Sequence, residues 1–373
     1  MTIYIITFLL LFSFAIIDAT TSISNRTRQT MSIIVYLLLV IQVGLRWETG
    51  TDWNPYLWQF ESLTSITPSY YSNAAVEYGY YLFIWIVKLL FNDYSVFLLL
   101  HAILFYFLIF NSFIRYAPYV FLSLLVFYAT TMGMMGSNRQ LIALAISIYA
   151  LRYVIEKKSI HFFLFILVAI SFHASAYIFI VYYFLNRNIK SRVLLIALSI
   201  VFIIYFLGYS QTVIDAFANA GDWVGGIAKV KSEVYIESSS EALKERKLSI
   251  LSLFSRLGFL ALFYYNRKEL SIKIPYYNIL LNGYIFGVLF YFTFANTLLI
   301  MVSRGSLYFN AMIPLLLSSQ IILIRGNAKK AVSIFILLII SGFLFYQSIA
   351  PYPDLFVPYK GIFLNSDFHR SMY

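Results

Sequence analysis

Residues 94–114 read YSVFLLLHAILFYFLIFNSFI. The stretch contains no Asp, Glu, Lys or Arg. A helix over it at 1.5 Å per residue is about 31 Å long, and the hydrocarbon core of a bilayer is about 30 Å thick. Asn92-Asp93 precede it and Arg115 follows it, which suits an interface at each end. The stretch therefore predicts a membrane-crossing helix.

Working outward, the same signal recurs. Further apolar runs cover 3–19, 31–45, 79–91, 118–136, 138–155, 160–185, 193–208, 249–266, 275–294, 306–324 and 331–349. Of the 373 residues, 61% are hydrophobic, 20% aromatic and 12% charged. Soluble domains carry about 25% charge. Half of that cannot coat a globular surface, so a soluble enzyme is excluded. The expectation is an all-α polytopic membrane protein, one integral domain over 1–373 with 10–12 transmembrane helices. Three polar pieces interrupt it: the loops 46–78 and 209–248, and the tail 350–373.

Cysteine is absent, which removes disulfides, thiolate metal sites and cysteine nucleophiles. His101, His161, His173 and His369 are too scattered to suggest a metal cluster, and no metal or cofactor is expected. The net charge of +11 reads as cytoplasmic loops facing anionic lipid, without nucleic acid as a partner. Met1 to Ala19 lacks the basic n-region and the small-x-small site of a cleavable signal peptide, so it is read as an uncleaved first span.

Lys and Arg orient the spans. Arg26 and Arg28, then Arg187, Lys190 and Arg192, then Arg267, Lys268 and Lys273, then Arg325, Lys329 and Lys330, can all face the cytoplasm together. That puts 46–78, 209–248, 295–305 and the tail outside. The middle has two solutions. With every run crossing there are twelve helices, and Arg139 lies inside. With 160–185 as a re-entrant hairpin broken at Ser171–Ser175, and 79–91 not crossing, there are ten crossings and Arg139 lies outside. The second is preferred, because it leaves Lys157 and Lys158 inside.

Polar chemistry concentrates in a few clusters. Arg46-Trp47-Glu48-Thr49-Gly50-Thr51-Asp52-Trp53-Asn54-Pro55-Tyr56 follows the second run. It is either a membrane-anchoring aromatic belt or a tight functional loop. Met132–Gln140 holds two glycines and places Arg139 in the first turn of a helix, with Asn138 expected to cap it. Arg139 reads either as an anion site or as an arginine snorkelling to headgroups. His173 sits in the Ser171–Ser175 break, and Ser303-Arg304 is expected to open a helix. Val357-Pro358-Tyr359-Lys360 is either a functional tail or a disordered end. Gly221–Gly226 is turn-like, and Glu233–Lys247 reads as a solvated helix or lid.

Arg46-x3-Gly50-Thr51-Asp52-Trp53-x2-Tyr56 resembles the G-x-R-x-x-x-G-T-D-[YW]-x-x-Y segment of the EpsG family. Further segments agree in order: Glu77-Tyr78-Gly79-Tyr80, Arg139-Gln140-x-x-Ala143, Phe172-His173-x-Ser175-Ala176, Ser303-Arg304-x-x-x-Tyr308 and Pro358-Tyr359-Lys360-x-Ile362-Phe363. The resemblance covers nearly the whole chain. That family is similar to Wzy-type polymerases of O-antigen, capsule and exopolysaccharide. The resemblance implies a metal-independent glycosyltransferase of the bacterial inner membrane. It would join undecaprenyl-pyrophosphate-linked oligosaccharide repeat units at the periplasmic face, and a GT-C-like architecture with an outer-face loop subdomain would suit it. It also implies membrane lipid and a chain-length regulator of the Wzz type as partners.

The chemistry is then as follows. A pyrophosphate is a good leaving group whose developing charge arginines can offset bidentately. Arg46, Arg139 and Arg304 are the candidates. The acceptor hydroxyl needs a base, for which Asp52 and His173 are the candidates with Glu77 behind them. Trp53, Tyr56, Gln140, Tyr308 and Lys360 complete the expected substrate-binding set, with Trp47 as a further sugar platform. A flippase or other transporter of lipid-linked oligosaccharide remains the alternative. It would spread charge through the full membrane depth, whereas here charge gathers at one face.

Overall fold

The computed structural model describes residues 2–64, 77–224, 233, 234, 236–241 and 250–370. Much of the expected 233–247 helix lies outside the described residues. About 80% of the chain is helical, with no strand among the described residues. The protein is an all-α polytopic membrane protein. Six described helices are long and apolar enough to cross a bilayer: Thr2–Thr20, Asn25–Gly44, Tyr94–Tyr116, Tyr277–Phe294, Leu299–Leu323 and Asn327–Ile349. Four shorter apolar helices accompany them.

The chain forms two compact units. Unit 1 is Met1–Ile180 with Ile313–Tyr373, and unit 2 is Val181–Met312.

Unit 1 contains α1 (Thr2–Thr20), α2 (Asn25–Gly44), α3 (Trp53–Ser62), α4 (Tyr78–Leu90), α5 (Tyr94–Tyr116), α6 (Val120–Thr131), α7 (Asn138–Ile155) and α8 (Ser159–Phe172). α5 packs on α2 and α7, and α7 packs on α8. Caps set two of these starts. Ser24 Oγ accepts from the Thr27 amide, and Asp93 accepts from the Ser95 and Val96 amides. Lipid supplies no hydrogen bonds, so buried polar side chains must find partners inside the bundle. Gln42, fully buried, does so: it accepts from Thr7 Oγ1 at 3.0 Å and donates to Tyr128 Oη at 2.8 Å, tying α1, α2 and α6 together.

The two ends of unit 1 differ in chemistry. At one end Arg28 pairs with Asp18 at 2.8 Å, and Arg115 and Lys158 pair with Glu156 at 2.6 and 2.7 Å. Lys330 Nζ donates there to the Ala19 carbonyl and to Tyr119 Oη. The other end holds the join of α2 to α3, the join of α6 to α7, and the break after α8. α4 belongs to this second end. Its first turn sets Tyr80 against Tyr56, and Lys88 in its last turn donates to the Phe60 and Glu61 carbonyls of α3. α5 then starts with Tyr94 against Trp53. The run 79–91 thus lies alongside α3. Together they enclose an aromatic core of Trp53, Tyr56, Phe60, Tyr80, Tyr94 and Phe97.

Unit 2 is built on α9 (Tyr182–Leu185), α10 (Ser191–Leu207), α11 (Ser210–Val224), α12 (Ile250–Tyr265), α13 (Arg267–Lys273), α14 (Tyr277–Phe294) and α15 (Leu299–Asn310). α14 is its hub and touches all the others. Its buried Asn282 donates to the Leu185 and Arg187 carbonyls, which secures the chain after α9. After unit 2, α16 (Ile313–Gln320) and α17 (Asn327–Ile349) return to unit 1 and pack on α6.

Local expectations needed correction. α11 continues through Val224, so Gly221-Asp222-Trp223-Val224 is helical and not a turn. α15 starts at Leu299, five residues before Arg304, so Arg304 lies within a helix and does not open one. Nor is the tail a loose end: Tyr4 donates to the Phe356 carbonyl, Tyr359 donates to the Gln42 carbonyl, and Arg46 bridges to Gly361.

The second end of unit 1 closes backbone against backbone. The Thr51 amide donates to the Met135 carbonyl and the Gly50 amide to the Leu355 carbonyl, both at 2.9 Å. A Cβ on Gly50 would lie 2.0 Å from Met135 O, and one on Gly136 would lie 1.9 Å from Thr51 O. Both glycines also have positive φ, +104° and +116°. Gly136→Ala is therefore expected to abolish folded protein or to lower its unfolding temperature sharply. Gly342→Ala, with nothing within 4 Å of its Cβ, should leave it unchanged or slightly raised. Thermal unfolding of the two purified variants in detergent checks this.

Candidate functional site

Arg139 is the centre of the polar end of unit 1. It stands in the first turn of α7, held there by the clasp of the 46–52 and 132–137 loops. Its Nη1 donates to Glu77 Oε2 at 3.1 Å and its Nε to Tyr56 Oη at 3.3 Å. Its Nη2 has no hydrogen-bond partner among the described residues, and the side chain is 23% exposed. Burial pushes the Tyr56 phenol above its ordinary range, the Arg139 charge pulls it back, and the Asp52 charge raises it again. Asp52 thus acts on the same phenol that Arg139 touches.

Glu77 joins this arginine to the helix break. Its Oε1 accepts from the Ala174 amide at 2.8 Å, the first amide after His173. α8 ends because His173 adopts extended backbone, and the chain resumes as a 3-10 helix over Ala174–Val181. Runs of 3-10 helix this long are uncommon and leave weaker internal hydrogen bonds, so an external carboxylate at the start matters. The Ser175 amide donates to His173 Nδ1, and the Ser175 hydroxyl lies 2.7 Å from the same nitrogen. An accepting Nδ1 puts the proton of the neutral ring on Nε2. Gln140 Nε2 reaches Ser175 Oγ at 3.5 Å, the limit of a hydrogen bond.

Arg46 occupies a different position. It is 1% exposed, with Nη1 donating to the Val43 carbonyl and Nη2 to Asn138 Oδ1 at 2.7 Å. It makes no ion pair with a described carboxylate, and its Nε is buried without a partner. Burial lowers its pKa, and nearby tyrosines, Tyr94 and Tyr359 foremost, oppose that shift. Asn138 was expected to cap α7. Instead it is the first helical residue, Ser137 holds the cap position, and the amide oxygen is turned to Arg46. The Asn138 carbonyl also contacts His101 Nε2 at 2.8 Å.

Asp52 is exposed at the cap position of α3, with φ +55° and no side-chain capping bond. Trp53 and Tyr56 are 3% and 6% exposed; they belong to the aromatic core and show little ring face to solvent. Lys360 is 2% exposed, and its Nζ donates to Glu48 Oε2 at 2.8 Å. Arg304 and Tyr308 stand on α15 in unit 2, the arginine exposed and the tyrosine buried. Among the described residues no group of three or more His, Cys, Asp or Glu is placed to hold a metal ion.

Unit 1 therefore brings together Tyr56, Glu77, Arg139, Gln140 and His173 in one chain of contacts, with Asp52 beside it and Arg46 behind it. Reasoning from sequence missed Asn138 as the arginine's partner, and also the contacts of His101 and Gln42; Ser175 was named only as part of the break and its motif. The available signal for Gln42 was an amide inside an otherwise apolar run.

Fold and site together define a polytopic membrane protein with a polar, arginine-centred site at one end of a helical bundle. The chain belongs to the EpsG family, whose profile matches residues 29–361, most of its length. EpsG is a Wzy-like polymerase family, so the protein is of the polysaccharide polymerase or glycosyltransferase type. No match to the chain was found among curated proteins or among solved structures.

The Arg139–Glu77 contact should show as coupling. Glu77→Ala and Arg139→Ala should each destabilise the protein, and the double variant should fall short of their sum by roughly 0.5–3 kcal/mol. Unfolding of the four proteins in detergent closes the cycle.

Proposed function

We propose that the protein transfers glycan repeat units from a lipid pyrophosphate to the hydroxyl of an acceptor glycan, at the outer membrane face of the bundle. The observation that carries the proposal is Arg139: a cation oriented by Glu77 and Tyr56, partly open, with Nη2 unused. Orientation is supported by the ion-paired end, where Arg28, Arg115, Lys158 and Lys330 collect. Under the positive-inside rule that end is cytoplasmic and the Arg139 end faces out.

The acceptor oxygen attacks the anomeric carbon, the bond from that carbon to the diphosphate oxygen breaks, and the electron pair leaves with the diphosphate. Arg139 offsets the charge that develops there. The acceptor proton goes to a base. His173 Nδ1 already accepts from Ser175, and the Nε2–H of the neutral ring is a donor, so His173 suits hydrogen bonding to the phosphate oxygens. Asp52, exposed and not used as a cap, takes the role of base. Arg46 acts at one remove: it holds Asn138 and thereby the first turn of α7 that carries Arg139. Arg304, on unit 2, is tested separately by its own substitution.

Purified protein in lipid vesicles, supplied with lipid-linked repeat units on its outer face, should form polymer without any other protein. Arg139→Ala should lower that rate by about 100-fold or more, Arg139→Lys by less, and Asp52→Asn should lower it strongly. Wild-type ladders from Arg139→Ala would overturn the reading. Movement of the lipid-linked unit across the vesicle wall without polymer would instead identify a transporter.

The cysteine-free chain also permits a direct test of orientation. Asn54→Cys should react with an impermeant maleimide on intact cells, and Asn25→Cys only after permeabilisation; both positions are exposed. The reverse pattern would place the site in the cytoplasm.

A further inference from the structure

The cavity beside Trp47, about 380 Å³ in volume, is lined by the 46–52 loop, the start of α5 and the tail, and belongs to the polar end already described. Unit 1 has another at its opposite, ion-paired end, about 290 Å³ in volume. That is close to the roughly 300–1,000 Å³ of small-molecule sites. One wall is α2, through Asn25, Arg28, Gln29 and Ser32, and the other is the turn from α5 to α6, through Ile114 and Pro118. Positions 25, 28, 29 and 32 recur every three or four residues, so they form one stripe of the helix. The first wall is polar and the second apolar.

A buried acid sets the arginine. Arg28 Nε and Nη2 both donate to Asp18 Oδ1, at 2.9 and 2.8 Å, and the side chains are 44% and 1% exposed respectively. Asp18 holds the guanidinium from behind and does not line the cavity. Nη1 makes no hydrogen bond to a described residue, and neither do the Asn25 and Gln29 amides. Ser32 Oγ donates to the Arg28 carbonyl, which leaves its oxygen able to accept. This end carries Arg28, Arg115, Lys158 and Lys330 with the carboxylates of Asp18 and Glu156, so an anion entering the cavity meets a net positive field. Further along α2, Tyr36 continues the stripe and seals the helix to α5. Its Oη donates to the Ile103 carbonyl at 3.2 Å, and its ring stands edge-on to Phe110. Beside that seal Ile33 and Leu37 of α2 and Phe107 and Ile114 of α5 are exposed, an apolar strip that leads out of the cavity.

We infer that this cavity holds the headgroup of an anionic glycerophospholipid whose acyl chains run along α2 and α5. Basic sites between membrane helices take anionic headgroups in this way. Arg28 Nη1 meets the phosphodiester, for which a guanidinium is the preferred partner. The Asn25 and Gln29 amides and the Ser32 hydroxyl suit the hydroxyls of an uncharged polyol head, as in phosphatidylglycerol. The lining contains no carboxylate, so the ammonium of a zwitterionic head finds no counter-charge there. A free phosphate shares the anionic chemistry but has no use for the apolar strip. A head bound here bridges α2 to the turn between α5 and α6, so occupancy stabilises the folded bundle. Nothing in the site requires the transfer chemistry proposed for the Arg139 end.

The test titrates delipidated full-length protein in detergent with phosphatidylglycerol, with phosphatidylcholine of the same chains, and with inorganic phosphate. Native mass spectrometry reads the lipid retained, and thermal unfolding reads its effect. Phosphatidylglycerol should be retained and should raise the unfolding temperature, whereas phosphatidylcholine and inorganic phosphate should do neither. Gln29→Glu puts a carboxylate into the cavity at an exposed helix position that tolerates it. It should weaken phosphatidylglycerol binding about tenfold or more. Gln29→Lys should bind that lipid at least as tightly as wild type. Arg28→Ala leaves the buried Asp18 carboxylate without its cation and can unfold the protein, so the Gln29 pair is decisive. Wild-type phosphatidylglycerol binding by Gln29→Glu would overturn the site, as would equal binding of the two lipids. The same stabilisation from inorganic phosphate alone would overturn the lipid as occupant. Polymer formation is not read, so these outcomes are separate from those that test the transferase.

Discussion

Arg46 is a guanidinium shut away from water at the end of a membrane helix, with an amide oxygen and a carbonyl as its hydrogen-bond acceptors. Burying a charge without a carboxylate partner is costly, and a protein keeps such a group only where its surroundings are over-determined. Here they are. The same loop is pinned to Met135 by Thr51, to Leu355 by Gly50 and to the tail at Gly361. The hydrogen bond to Asn138 links this rigid knot to the first residue of α7, and the next residue is Arg139. Placement of the one open arginine of unit 1's polar network depends on the closed one behind it.

The network also explains why a helix stops where it does. α8 ends at His173 at the level of the α7 N-terminus, where the freed Ala174 amide meets a carboxylate that Arg139 already orients. Glu77 therefore answers two demands with its two oxygens. A carboxylate at this point stabilises a cation and the start of a helical turn together, so neither contact can be altered without affecting the other.

Much of this was legible in the amino-acid sequence, for identifiable reasons. Apolar runs long enough to cross a bilayer announce themselves by composition, and Arg46, Glu77, Arg139 and His173 stood out in short polar clusters at the ends or breaks of those runs. The short loop signatures were also legible as motifs, but not their mutual contact. Gly50 and Gly136 are 86 positions apart, and only the fold shows that each is a glycine because the other loop's backbone lies against it. The role of Asn138 was misread for a related reason. Local rules favour an amide as a helix cap, and a distant guanidinium outcompeted the local amide groups. Arg304 was placed at a helix start because the apolar run was taken to begin at 306, whereas the helix extends back over Ser303 to Leu299. The cavity beside Trp47 needed residues from the 46–52 loop, the start of α5 and the tail at once, which no single window of sequence contains.

The tail's attachment has a consequence for biosynthesis. Residues 353–364 supply the partners of Gly50, Trp47 and Leu45, so the knot beneath Arg46 cannot close until the last helix has entered the membrane and the chain beyond it has emerged. During translation the earlier helices wait with an unneutralised Glu48 and unpaired loop amides. Premature termination or a frameshift before position 353 would thus yield an inserted bundle that lacks its latch, exposed to the proteases that survey incomplete membrane proteins.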